Sequence, residues 1–310
     1  MRDSIGGAFA IGKSPLLTDL SICVTRGLTW CGRKTSRRPV VYFDLENDAV
    51  SWRGNVKRIA KRREIRVPRV PKELDVQLLN DSTEGNSSRL LSLLGSSNQK
   101  KVDFLYPRLL VKPNALVVID PLELFFSLDK IKGPEVLRVY RLLREVRVDF
   151  PQSAFLVTFN LRKRDRRAPK PNLLDAPRDW LDEVAGSIDI MNRSDVRLGI
   201  DVFDENIRVI NGIRRGEEFH PLIIEAVGPP EGLAGFERVE PDALVLRAAF
   251  TKRQRRHWYS LPEEFRFDEV ADNAVPRASL FRLIGLARSL GVLRLDDGVY
   301  RKVSGESTDR

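Results

Sequence analysis

Residues 7–14 read Gly-Ala-Phe-Ala-Ile-Gly-Lys-Ser, and the reading of this stretch decides the fold. The pattern G-x-x-x-x-G-K-S needs glycine where backbone N–H groups curl around phosphate oxygens, lysine where β and γ oxygens gather charge, and serine where a hydroxyl meets magnesium. Gly7, Gly12, Lys13 and Ser14 are therefore candidate nucleotide-binding residues, and Ser14 is a candidate metal ligand as well. A helix starting at Lys13 would aim the positive end of its dipole at the bound anion, and Pro15 falls in its first turn, where a missing N–H costs little. A loop of this kind joins a buried strand to its helix. Only Met1 to Ile5 precede Gly6, so that strand is expected to be nearly missing: the chain is expected to be truncated at its N-terminus, the alternative being that MRDSI supplies a stunted strand and a weakened nucleotide site.

Outward from the loop, as far as about Val227, short β-branched runs alternate with helical periodicity, the pattern of an α/β fold with a mainly parallel sheet. Continuous apolar runs at Val40 to Leu45, Ala115 to Ile119 and Ser153 to Phe159 predict strands buried on both faces. Helices are predicted over Lys13 to Arg26, Ala49 to Arg63, Gly133 to Val148 and Pro177 to Ala185. The alternation in RLGIDVF, IRVINGI and PLIIEAV, between Leu198 and Val227, predicts antiparallel strands at the far edge of the sheet. Residues 228–250, with Pro229, Pro230, Gly232, Gly235 and Pro241, form the expected linker. Beyond it, Phe267, Val270, Ala271 and Ala274 make one short apolar face and Leu280, Leu283, Ile284, Ala287 and Leu290 a second. Asp297-Gly298 then sits between alternating apolar residues, the signal for a two-residue hairpin. Helix, turn, helix and hairpin predict a winged helix over 251–303, followed by a disordered tail at 304–310.

Several strands end in polar residues that belong beside a phosphate. ALVVID delivers Asp120, a candidate magnesium ligand acting through water. VVYFDLE delivers Glu46 as the candidate base for the attacking water, with Asp44 and Asp48 as rivals and a solvated strand end as the simpler reading. SAFLVTF delivers Thr158 and Asn160, from which Asn160 is taken as the candidate sensor of the γ-phosphate. Arg214 and Arg215 follow a strand and are candidate arginine fingers toward a neighbouring subunit.

Lys and Arg number 53 against 43 Asp and Glu, a net charge of +10, which points to a polyanionic partner because cations that meet phosphates release counterions. Arg162, Lys163, Arg164, Arg166 and Arg167, in RKRDRRAPK, leave the catalytic edge of the sheet and are candidate DNA contacts. Arg277, Ser279 and Arg282 lie in the first half of the predicted recognition helix, and Arg294, Arg301 and Lys302 on the hairpin. Lys252, Arg253, Arg255 and Arg256 form a basic flank. The two cysteines, Cys23 and Cys31, form no CxxC pair, and His220 and His257 are the only histidines in the chain to help them, which supports neither a zinc site nor a disulfide framework. No apolar run approaches the roughly 20 residues that span a bilayer. No signal-peptide core opens the chain, so a cytoplasmic protein without a membrane partner is expected.

With the loop, FDLEND, VVIDPLELFF, the polar strand end at Asn160 and a late β-rich segment in this order, residues 1–227 resemble the RecA-like AAA ATPases, in the branch of plasmid RepA-type replicative helicases, RadA and KaiC. The resemblance implies a RecA-like P-loop core, ATP and Mg2+ as cofactors, nucleotide binding by Gly12, Lys13 and Ser14, magnesium at Asp120 and water activation by Glu46. It also implies a homo-oligomer, with a hexamer as one form. The segment from Phe265 to Val303 is similar to the winged helix that ends many plasmid and phage ATPases, which makes DNA the expected partner. The expected activity is that of a helicase or DNA-remodelling ATPase. The alternative is a DNA-binding regulator whose degenerate ATPase core serves as a scaffold, and a small-molecule kinase is disfavoured by the basic C-terminal segment.

Overall fold

The computed structural model describes residues 2–7, 11–65, 73–80, 92–126, 133–160, 173–174, 176–182, 194–203, 206–214, 217–218, 221–228, 232–239, 252–289 and 292–303. The chain divides into two compact units, Met1–Arg238 and Val239–Arg310.

The first unit is a sheet carrying helices. In chain order it contains β1 (Arg2–Gly7), α1 (Lys13–Arg26), β2 (Val40–Asp48), α2 (Ala49–Arg62), β3 (Leu74–Asn80), α3 (Asn98–Asp103), α4 (Tyr106–Val111), β4 (Leu116–Asp120), α5 (Leu122–Phe125), α6 (Gly133–Asp149), β5 (Ala154–Asn160) and α7 (Pro177–Leu181). There follow β6 (Val196–Val202), β7 (Ile207–Arg214), β8 (Glu217–Glu218), β9 (Leu222–Ala226) and β10 (Phe236–Arg238). The order across the sheet is β10-β9-β7-β6-β1-β5-β4-β2-β3, with β8 paired to β7. From β3 to β6 every pairing is parallel. β7, β9 and β10 then add on antiparallel. This is an α/β fold with a RecA-like parallel core.

Two expectations change. β1 is a six-residue strand paired on both sides, Gly7 standing opposite Asn160 of β5 and Ile200 of β6. Gly6 and Gly7, counted in the sequence as loop, extend the strand, so the element expected to be nearly missing lies inside the sheet. β6, expected to be antiparallel, runs parallel to β1, and the antiparallel extension starts only at β7. Alternation marks a strand exposed on one face and carries no information about direction.

The core follows from the apolar runs. Val40, Tyr42, Val118, Ile5 and Leu156 on the sheet pack with Leu16, Leu17 and Ile22 of α1 and with Trp52, Val56 and Ile59 of α2. An aromatic group fills another part of the interior, with the Phe43 and Phe125 centroids 5.0 Å apart and Phe126 edge-on to Phe125 at 4.9 Å.

A salt-bridged cluster ties α2 to α1. Asp19 of α1 is fully buried, and Arg63 meets its carboxylate with both Nε and Nη2. Arg62 adds contacts at 3.4 Å and also donates to the Ala234 carbonyl at 2.9 Å, while Arg58 donates to Leu233 O at 3.1 Å. A buried carboxylate is tolerated when paired and hydrogen-bonded in this way. The pairing also brings the 232–238 segment against both helices.

The second unit contains α8 (Lys252–Ser260), β11 (Glu264–Phe265), α9 (Phe267–Val270), α10 (Arg277–Ser289), β12 (Leu293–Asp296) and β13 (Val299–Lys302). The strands pair antiparallel in the order β11-β13-β12. Trp258, Leu261, Phe265, Val270, Leu280, Leu283, Ala287 and Leu293 form a core of their own. The β12–β13 turn is Asp297-Gly298 with φ of 52° and 76°, the two positive values a two-residue turn of right-handed twist requires. The predicted tail at 304–310, most of the predicted linker and the end of the helix predicted to Ala185 lie outside the described residues.

Candidate nucleotide site

Gly12 caps α1 in the left-handed region, φ 96° and ψ 24°, with no side-chain cap and no acidic residue in the first turn. The helix thus opens with N–H groups and positive partial charge unopposed by a side-chain acceptor, the arrangement that receives an anion. Glycine is favoured by φ, and a Cβ at Gly12 would stand a tight 3.1 Å from Phe236 Cζ and 3.2 Å from Leu233 Cδ1. Arg208 Nε donates to the Ile11 carbonyl at 3.1 Å and fastens the end of the loop to β7. Residues 8–10 lie outside the described residues.

The parallel strands bring the predicted polar residues to one edge. Asp44 and Asp120 stand opposite each other in register, and β5 lies between β1 and β4. Because side chains alternate across a strand, Asn160 shares a face with Thr158, whereas Glu46 lies in the irregular stretch of β2 between Asp44 and Asp48. Lys13 is buried, 7 % exposed, and its Nζ donates to Asn160 Oδ1 at 2.9 Å. Burial lowers the Lys13 ammonium below the usual lysine range, and Asp120, Glu46 and Glu123 oppose that shift. Glu46 is exposed at the end of its strand; partial desolvation raises its carboxyl, helped by Asp120, while Lys13 and Asn160 pull it back.

Asp120 is fully buried, accepting from Tyr42 Oη at 3.2 Å and from Thr158 Oγ1. A carboxylate has about four lone-pair positions, so two hydrogen bonds leave acceptor capacity. Complete burial suits contact with a metal through water rather than directly. Asp44, equally buried, is raised to about 6 by desolvation first and the like charge of Asp120 second. It accepts from the backbone N–H of Asn47 at 2.9 Å and from the Asn47 amide. Asp48, the other rival to Glu46, caps α2 by accepting from Ser51 N at 2.7 Å.

Among the described residues no group of three His, Cys, Asp or Glu side chains is placed to hold a metal. The donors offered are hard oxygens, the Ser14 hydroxyl and the buried carboxylate of Asp120. That set fits Mg2+, which keeps waters and phosphate oxygens in its shell, better than a metal needing a full protein cage.

Other predicted residues are not gathered here. Arg214 ends β7 opposite Val196, which pairs with Asp3, so it stands at the sheet edge away from this chain's own loop. Arg215 and the basic run Arg162, Lys163, Arg164, Arg166 and Arg167 lie outside the described residues. In the second unit Arg277 is exposed but faces Asp268 at 3.1 Å and Asp272 at 3.5 Å. Arg301 faces Glu264 at 3.4 Å, and Lys302 Nζ donates to Leu261 O at 2.7 Å and faces Glu263 at 3.4 Å. Ser279 is half-buried, and Arg282 and Arg294 are exposed with no ion pair among the described residues.

The sequence reading missed Glu123 and Arg208. Glu123 Oε1 accepts both the backbone N–H and the Nδ2 of Asn160, each at 3.1 Å. It stands three residues after Asp120, in the first turn of α5. An acid so close behind a strand-end aspartate was the available signal. Arg208 falls on a polar position of an alternating strand and reads as solvent-facing.

A family model described as AAA domain matches residues 4–166, more than half of the chain. No curated protein matches it.

Proposed function

The chain belongs to the AAA domain family, and from that premise we propose that its first unit binds and hydrolyses ATP with Mg2+ while its second, a winged helix, carries that activity onto DNA. The observation that carries the proposal is the meeting of Lys13, Asn160, Glu46 and the buried Asp120 beside the uncapped N-terminus of α1.

The α1 N–H groups and the Lys13 ammonium would hold β and γ oxygens. The Ser14 hydroxyl and the Asp120 carboxylate would hold the metal. Mg2+ supplies charge neutralisation on the phosphoryl oxygens when bound. Glu46, exposed at the strand end beside Lys13 and Asp120, orients the attacking water and takes its proton. Burial of Lys13 strengthens its attraction to phosphate, because charges in a medium of low dielectric are poorly screened.

Support for DNA comes from α10, which contains Arg277, Arg282 and Arg288 and no acid. Its outer face exposes Phe281, 73 % accessible, beside Arg282. Exposed ion pairs such as those of Arg277 and Arg301 are worth about 0–1 kcal/mol and yield readily to phosphate. A homo-oligomer that remodels or unwinds DNA in replication or mobile-element maintenance is the expected working form, with Arg214 and Arg215 reaching a neighbour's phosphates.

The test is ATP turnover by the full chain with and without DNA. Glu46→Gln is expected to lower kcat by about 100-fold or more while nucleotide binding persists, and Lys13→Ala to abolish binding. DNA binding with no turnover under any condition would favour the regulator with a degenerate ATPase core.

A further inference from the structure

Asn160 lies between groups of opposite hydrogen-bonding capacity. An ammonium only donates, so the atom facing Lys13 Nζ at 2.9 Å is Oδ1. The Glu123 Oε1 that takes the Asn160 backbone N–H is an acceptor, so the side-chain atom at 3.1 Å from the same oxygen is Nδ2. The carboxamide has one productive orientation, set by Glu123 on one side and read by Lys13 on the other. The second Glu123 oxygen, Oε2, is buried with no hydrogen-bond partner among the described residues. It belongs to a carboxylate whose other oxygen holds the end of β5 at two points.

Building on the ATPase reading above, the geometry points to Glu123 as a positioning residue that fixes the Asn160 carboxamide and thereby aims the Lys13 ammonium at the phosphate site. One of the three N–H groups of Lys13 is committed to Oδ1, and that commitment sets the direction of the other two. Asn160 then works as a brace for the lysine. Its amide turns a hydrogen toward Glu123 rather than toward a γ-phosphate.

Three substitutions separate bracing from proton transfer. Glu123→Gln keeps an oxygen able to accept both Asn160 N–H groups, and its kcat is expected to stay within roughly threefold of wild type. Glu123→Met removes the acceptor at similar volume, and its kcat is expected to fall about 100-fold, the scale set by small misplacements at a reacting centre. In an Asn160→Ala background Glu123→Met is expected to add no further loss. The affinity for Mg-ATPγS, measured by displacement of a fluorescent ATP analogue, should weaken about tenfold in Glu123→Met, and in an Asn160→Ala background Glu123→Met should weaken it no further.

Glutamine as damaging as methionine would make Glu123 a proton-transfer group and overturn the inference. Additive losses in the double variants would overturn it too, as would wild-type affinity in Glu123→Met. A wild-type chain with no nucleotide affinity overturns the ATPase reading itself and the brace with it, whereas a chain that binds without hydrolysing leaves the affinity measurements to decide.

Discussion

Replacing Asp44 by asparagine is expected to stabilise the Met1–Arg238 unit at alkaline pH, although the side chain is buried and hydrogen-bonded. Desolvation and the facing Asp120 raise its carboxyl from 3.8 to about 6. A folded-state value above the unfolded one means that the folded protein holds the proton more tightly. The stabilising contribution is complete below 3.8, declines as pH rises toward 6, and is gone above that. The shift corresponds to a penalty of about 3 kcal/mol at pH 8 and about 1 kcal/mol at pH 4.5. Against this stands the hydrogen-bond set: Oδ1 accepts from Glu46 N, Asn47 N and Asn47 Nδ2, and Oδ2 from Asn47 Nδ2 at 2.9 Å. An amide keeps the first three and loses the last, at about 1 kcal/mol. Asp44→Asn should therefore gain about 2 kcal/mol at pH 8 and about nothing at pH 4.5. Urea unfolding followed by tryptophan fluorescence measures it, in EDTA and in a Trp258→Phe background, so that Trp30, Trp52 and Trp180 report the first unit alone. Equal destabilisation at both pH values would refute the reasoning.

Gly12→Ala puts a Cβ in the left-handed region and 3.1 Å from Phe236. It should cost about 1–2 kcal/mol from the backbone alone, read as a lower Tm. Asp19→Ala leaves the Arg63 guanidinium, only 14 % exposed, without its carboxylate among the described residues, and leaves Arg62 with Glu237 alone at 2.9 Å. A loss of about 3–5 kcal/mol is expected in chemical unfolding, and a cost under 1 kcal/mol would show that the cluster is dispensable. Arg282→Ala combined with Arg294→Ala should flatten the log-log salt dependence of duplex binding by about 0.9 for each phosphate contact removed. An unchanged slope would place the DNA contacts elsewhere.

Where burial is continuous, the sequence spoke clearly. Lys13 to Arg26 was legible as a helix because glycine opens and closes it, Gly12 at φ 96° and Gly27 at φ 69°. The runs around Val118 and Val157 were legible as strands because both faces are covered, with their bounds displaced by one residue. β3 and the short helices α3 and α4 were not, since Leu74–Asn80 alternates weakly and the helices are six residues each. α8 was read as a charged flank because it places little more than Trp258 in the core. In the site, Asp120, Glu46 and Asn160 were readable as ends of apolar runs. Glu123 and Arg208 were not, because what they do depends on partners 37 and 197 residues away.

The wall behind Gly12 is built by Leu233 and Phe236, far along the chain from the loop they press against. The matched family segment closes at residue 166 and Arg208, which fastens Ile11, also lies past that point. A fragment cut at that boundary would retain every motif residue of the phosphate loop and lose the scaffolding that gives the loop its shape. For this chain the piece that keeps those contacts extends to β10, and domain dissection by motif would remove them from a fragment whose motif sequence looks intact.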